Sequence, residues 1–454
     1  MKQNNHTQHF FLANRQISSW QNAWALVGDY LSAAAFLGAI GLYFTSGFDS
    51  FYYAVATLIG WPLLLILFAD KLRQSNAFTL SGVLTQRFNS TRLKTLSALT
   101  SICISTFYLL VQLVGAGKLL QLLFHLPYSI SLSIVCLFTL CLVAIGGMKA
   151  TTWIQIIKAI CLFICAFILV ILIWRHFNFS LGTLWQQAGQ ISQNQVFLPS
   201  SSLKNPIEQA SLILGLILGL LGLPHVLMRF FTAKNPHAAS LSAAYATLLI
   251  TLFFGFNLII GYGSYVIFHN TPLAGGSNMV LLHLSEYLGG SLFKWIISWM
   301  VLITILAVMS GLVLATSASL SKDILPRFIK INDQTEVRYT KISIIILLII
   351  STFLAYQFES FNIAFLFSLA FAWAAGAHFP VLFLSFFYRH FTEKAAFYAL
   401  LSGAICSFIL IVLSQTVWVN ILGFSTPLFP FVNPTLFTLP ISLLLGLFLS
   451  KRTP

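Results

Sequence analysis

Residues 25–46, ALVGDYLSAAAFLGAIGLYFTS, are long and apolar enough to cross a bilayer, yet they carry Gly28, Asp29 and Ser32 where a simple lipid anchor would carry Leu or Val. Gly28 leaves a carbonyl easy to reach, and the run Ser32-Ala33-Ala34-Ala35 lets other backbone approach closely. Asp29 is the one acidic residue deep inside an apolar segment. A charge at that depth costs about 3 kcal/mol or more, so Asp29 is expected to face a cavity or an ion rather than lipid. The stretch reads as a discontinuous helix at the centre of a transporter.

Composition supports that reading. Hydrophobic residues make up 58% of the chain and charged residues 7%, against about 25% charged in a soluble domain. The chain is therefore expected to be an all-α polytopic membrane protein. A net charge of +14 would suggest nucleic acid in a soluble chain. Here the basic residues stand singly between apolar runs, which marks topology and excludes a nucleic-acid partner. The six cysteines fall inside spans without paired spacing and read as small apolar fillers. The first twenty residues are polar and lack the apolar core of a signal peptide, so the N-terminus is expected to stay on the side where it was made.

At about 20 apolar residues per crossing, the chain divides into twelve spans. They lie near 21–45, 50–70, 93–124, 128–147, 151–174, 207–231, 238–268, 290–321, 339–357, 362–388, 394–415 and 433–450. Segment 78–90 is amphipathic and too short to span, so it reads as a helix on the inner surface; SNMVLLHLSEYL, 277–288, reads as a short helix on the outer one. With the N-terminus inside, 19 of the 24 basic residues fall in inner loops or the termini. Both termini are then cytoplasmic in a multi-pass protein of the cell membrane. Span six, LILGLILGLLGLPHVLMRFF (212–231), also looks interrupted, at Gly215, Gly219, Gly222 and Pro224. Breaks in spans one and six point to two inverted five-span repeats with the binding site between them. The expected organisation is a cytoplasmic segment 1–20, a ten-helix transport core 21–388 (repeats 21–174 and 207–388), and two peripheral helices with a short tail, 389–454.

The blocks QISSWQNAWALVGDYLSAAAFLG (16–38), GGMKATTWIQIIKA (146–159), GLPHVLMRFFT (222–232) and TILAVMSGLVLA (304–315) resemble the sodium:solute symporter family, and within it the cation/acetate, or monocarboxylate, permeases. The similarity runs from about residue 12 to 450. It implies a leucine-transporter-like five-plus-five core with discontinuous helices one and six, importing a small carboxylate with Na+ or H+ and needing no other cofactor. Gly376-Ala377-His378 departs from the Ser/Cys-Asn pattern of the family.

Sodium is a hard cation that wants oxygen ligands, which unwound backbone and Ser or Thr supply at mid-membrane depth. The resemblance implies a sodium between carbonyls of Gly28 and Leu31 on span one and residues of span eight. There one alignment gives Ala307 and Val308, and a local match gives Ser310 and Gly311; Thr304, Ala307 and Gly311 share one helical face. Na+ would sit at Gly28, Leu31 and Ser310, or the Ser310 hydroxyl bonds its own helix. Without a hydroxyl in reach, proton coupling through Asp29 gains. A substrate carboxylate is expected at the positive ends of the half-helices rather than on a dedicated arginine. Its walls would be Ser32, Ala35 and Phe36, Gln112 of span three, and Leu223, Pro224 and His225. Small side chains there favour an acetate-sized solute over a sugar. Lys118 and Lys158 are expected to snorkel to the surface, the alternative being a pairing with carbonyls or with each other, and Arg229 to be a topology signal at the inner end of span six. The phenylalanines are expected to face lipid. No metal-ligand cluster or nucleophile–base pair appears in the spans, so an enzyme is not expected; the alternatives are a proline- or sugar-type symporter of the same family, or a solute sensor on the transporter fold.

Overall fold

Helix starts are marked by capping residues. Ser18 opens span one with a reciprocal box to Gln21. Asn205 and Asn235 cap spans six and seven, each followed by a proline in the first turn. The computed structural model describes residues 17–75, 77, 79–145, 148–200, 203–327 and 333–451. Most of the expected N-terminal segment, Lys330 and Arg452 lie outside them.

Among the described residues, eight helices and one bent pair have the length and composition to cross a membrane, and the apolar helices Tyr128–Cys141, Ile342–Gln357 and Thr435–Lys451 fill the remaining places among the twelve expected spans. Span one is Ser19–Tyr30 plus Ala34–Ser46, bent by 64°. Spans two, three and five are Asp49–Gln74, Thr91–Phe124 and Met148–His176. Span six is Pro206–Leu220 plus Pro224–Thr232, span seven Pro236–Phe268, span eight Val280–Ser319, and span ten Ile363–Phe387. Spans six and ten are the most enclosed, at 83% and 94% of their apolar windows, whereas span eleven, Glu393–Leu413, is 33% buried and span seven 39%.

The two breaks differ. In span one, Leu31 leaves the helical region (φ −73, ψ 85), and the chain re-enters the helix through a wide turn over Ala34–Gly38. In span six only residues 221–223 interrupt the helix, where Leu223 is extended (ψ 115) and Pro224 starts the next half. Gly215 and Gly219 interrupt nothing: a Cβ on Gly219 would lie 2.3 Å from the Phe371 carbonyl oxygen, and one on Gly215 would lie 2.6 Å from Thr435 Oγ1. These glycines let span six pack against spans ten and twelve.

Both short amphipathic segments are more deeply engaged than the sequence suggests. The first is a helix, Leu80–Phe88, whose Leu80, Ser81, Val83 and Leu84 are buried. The second runs into span eight through a kink at Gly290 (φ 78), and its residues Val280 to Leu282 and Leu284 are buried in the protein instead of lying on its surface. Many phenylalanines are also internal: Phe36, Phe68, Phe230, Phe231, Phe253 and Phe371 are among the largest fully buried side chains. Packing between helices, not lipid, is their environment.

Candidate functional site

The centre of the molecule is built by spans one, three, five, six and eight around the Leu31 break. Asp29 sits on the last turn before it, 3% exposed. It meets Arg229 of span six, whose Nε and Nη2 both donate to the carboxylate, the latter at 3.1 Å. Gln155 Nε2 donates to Asp29 Oδ1 at 2.5 Å and to the Ala307 carbonyl at 2.9 Å. Arg229 Nη1 donates to Thr152 Oγ1 at 2.8 Å. Asp29 thus meets an arginine where a cavity or ion was expected. Arg229 is 2% exposed, an internal counter-ion instead of a loop-end topology signal. A buried carboxylate in this setting needs a paired cation, and the second half of span six delivers one.

Lys158 corrects the snorkelling expectation. It is 1% exposed, and its ammonium donates to the carbonyls of Leu31 at 3.4 Å and Thr304 at 3.2 Å. The Leu31 carbonyl is one of the oxygens expected to hold sodium, and Thr304 is on the span-eight face expected to line that site. Ser310 Oγ donates to the Ala307 carbonyl of its own helix at 2.7 Å, the second of its two expected roles. Gly28 packs backbone to backbone on span five, where a Cβ would lie 2.5 Å from the Gln155 carbonyl oxygen. Gly311 leaves room for the Asp29 carboxylate, 3.2 Å from where its Cβ would stand. At this junction an ammonium occupies the two carbonyls. Lys118, by contrast, stays half-way out and pairs with Glu359 at 2.6 Å.

The walls expected for the substrate also converge. Tyr108 donates to Ser32 Oγ at 3.4 Å and lies 4.8 Å, centroid to centroid, from the His225 ring. Gln112 Oε1 accepts from the Ala33 amide at 3.2 Å, holding the broken backbone. The Ala35 carbonyl accepts from Asn257 at 2.6 Å, and Phe36 packs on Phe253. Leu223 and Pro224 are buried at the start of the second half of span six. Six buried polar atoms of these residues have no partner: both nitrogens of His225, Gln112 Nε2, Thr304 Oγ1, Gln155 Oε1 and Asn257 Oδ1. Buried groups are rarely left unpaired without a functional reason.

Sequence reasoning missed Thr152 and Gln155 and expected Lys158 to lie at the surface. Thr152, Gln155 and Lys158 recur every third position of span five, and each reaches into the junction. That spacing is itself the signal. His378 of span ten donates through Nδ1 to the Gly222 carbonyl at 2.8 Å, fastening the break of span six, and its Nε2 lies 3.4 Å from Ser101 Oγ.

Two interrupted helices meeting inside an all-helical bundle define a transporter of the leucine-transporter type. The chain belongs to the sodium:solute symporter family, whose profile matches residues 10–403. Its structure is similar to a Na+-coupled sialic acid symporter in a substrate-bound outward-open state, with a TM-score of 0.77 at 14% identity over 98% of this chain and 92% of the other. It is also similar to the nucleobase-cation-symport-1 family transporter Mhp1 bound to bromovinylhydantoin (TM-score 0.57, 16% identity, 98% and 95% covered). A third likeness is to MhsT in complex with L-phenylalanine (0.58, 16%, 95% and 98%). These are transporters, not enzymes, and the family couples solute movement to Na+.

Proposed function

We propose that the protein imports a small monocarboxylate. The observation that carries this reading is the charge balance at the break: Asp29 pairs with Arg229, and a second basic side chain, Lys158, is buried near enough to interact with both. Arg229 already satisfies the one carboxylate. The surplus positive charge is buried, and an uncompensated charge in a low-dielectric setting is costly. An anionic solute would restore neutrality; a sugar would not. His225 and Gln112 Nε2, both without partners, supply hydrogen bonds to the carboxylate, and the start of the second half of span six adds its positive end. Ser32 and Ala35 keep the space small. Tyr108 Oη accompanies the solute through its contact with Ser32.

The transport core is 21–388, with repeats 21–174 and 207–388, and spans eleven and twelve are peripheral. The low burial of span eleven supports this division. Basic residues put both termini on the cytoplasmic side of the cell membrane: Arg73, Arg87, Lys94 and Lys322 gather on one face, where Arg73 caps the Ala233 and Lys234 carbonyls and Arg87 those of Ser385 and Tyr388.

The test is uptake into vesicles of purified protein, with labelled acetate, pyruvate, proline and glucose under imposed Na+ or H+ gradients. Gradient-dependent accumulation of acetate or pyruvate, with no competition by glucose, is the expected result. Accumulation of proline or glucose instead assigns the alternative symporter types. Saturable binding without accumulation assigns a sensor.

A further inference from the structure

We propose that the ammonium of Lys158 is the resident cation of the junction between spans one and eight, and that sodium does not bind there. Leu31 is where span one unwinds, so its carbonyl is turned out of the helix and open to a cation. Thr304 presents its carbonyl from the face of span eight opposite that break. A free ion in this position would join the two spans by bonding both oxygens at once. Lys158 does the same from span five: its four-carbon stem crosses the packed interior and delivers the charge to both carbonyls at 3.4 and 3.2 Å.

The surroundings hold the amine there. Three residues earlier on the same helix face, Gln155 bridges Asp29 of span one and the Ala307 carbonyl of span eight, so two rungs from span five brace the same pair of spans. Lys158 is 1% exposed and has no route to water without leaving this position. Of the neighbouring hydroxyls, Ser310 donates to the Ala307 carbonyl of its own helix, and Thr304 Oγ1 is buried without a partner. A sodium ion brought beside the ammonium would meet like-charge repulsion. At about 4 Å and an effective dielectric of about 20, that weakens its affinity on the order of 1000-fold. On this proposal the coupling sodium of the family is held elsewhere in this chain, and the clasp between spans one and eight is covalently attached. The inference is independent of which solute is carried.

Two measurements test it. In the first, the thermal unfolding midpoints of full-length wild type and Lys158→Ala are followed as NaCl replaces choline chloride at constant ionic strength. The expected result is a lowered midpoint for Lys158→Ala in choline that rises saturably with Na+, or with ethylammonium, by several degrees more than the wild type does. A Na+ response present in the wild type and lost in Lys158→Ala overturns the proposal, because the lysine would then be assisting a sodium site. Equal responses in the two proteins overturn it as well. The second needs only wild type, should the variant fail to fold: a structure solved with Tl+ in place of Na+. Anomalous signal bonded to both the Leu31 and Thr304 carbonyls overturns the proposal, and amine density there with no Tl+ supports it.

Discussion

Asp29 and Arg229 are held by geometry more than by proximity to water, and that makes their energetics asymmetric. Removing one member of a buried pair strands the other, at a cost of about 3–5 kcal/mol. Asp29→Asn is therefore expected to lower the unfolding midpoint and abolish uptake, and adding Arg229→Met should recover most of the stability without the activity. A stable Asp29→Asn protein, seen by thermal unfolding, would contradict the pair's structural role. His225 is the opposite case. Its ring nitrogens have no protein partner, so the folded chain loses no hydrogen bond when they go. His225→Phe keeps the ring against Tyr108, and stability should stay within about 1 kcal/mol of wild type. Loss of a hydrogen bond to the solute should raise the apparent KM for uptake about tenfold or more, at roughly 1.4 kcal/mol per decade. An unchanged KM would remove His225 from the solute site. At this scale the sequence was half legible. Asp29, Ser32, Gln112 and His225 stand out because polar groups are conspicuous in apolar spans. Lys158 and Arg229 do not, because nothing local distinguishes a lysine that reaches inward from one that snorkels; the difference lies in carbonyls freed on another helix.

Elements are arranged here by which backbone can approach which. The twelve spans were legible because hydropathy is local, whereas the depth of the 80–88 helix and the buried run into span eight depend on partners distant in sequence. Pro224 signalled the break in span six correctly. Gly215 and Gly219 were misleading as helix breakers, since a glycine serves close packing as readily as bending. That distinction can be measured. At Gly219 a Cβ would strike the main-chain oxygen of Phe371, which cannot rotate away, while at Gly255 of span seven nothing lies within 4 Å. Gly219→Ala should cost about 1–3 kcal/mol of stability through overpacking. Gly255→Ala, in open space, should be neutral or stabilising by up to about 1 kcal/mol. Equal midpoints for the two variants in a thermal unfolding series would refute the close-packing role of Gly219.

The whole molecule is asymmetric across its thickness. On the basic face, Asp323 at the end of span eight accepts from Ser81 of the 80–88 helix and pairs with Lys94 of span three at 3.2 Å. Arg87 and Arg73 cap carbonyls beside it, so the 80–88 helix and span two are tied to neighbouring spans here, beside a cavity of ≈ 530 Å³ lined by Thr79, Lys94, Lys322 and Asp323. The opposite face contains a cavity of ≈ 400 Å³ between spans one, two, six and ten, lined by Asp49, Tyr53, Glu208, Leu212 and Ser368 among others. Alternating access requires two states, and contacts made in only one of them, as the Asp323 cluster would be, contribute to the free-energy gap between them. A state's population responds tenfold to about 1.4 kcal/mol, the order of magnitude of one hydrogen-bonded charged contact. Asp323→Asn keeps the shape of the side chain while removing the charge that Lys94 and Ser81 address, so it should favour the state opened at the basic face. Ser368→Cys, introduced in a background with the six native cysteines replaced, reports the other side through its reaction with an impermeant maleimide. Adding Asp323→Asn should slow that reaction about tenfold and leave the unfolding midpoint within a few degrees. A rate that is unchanged or faster would mean that the Asp323 cluster only holds the 80–88 helix in place and does not set the balance between the two states.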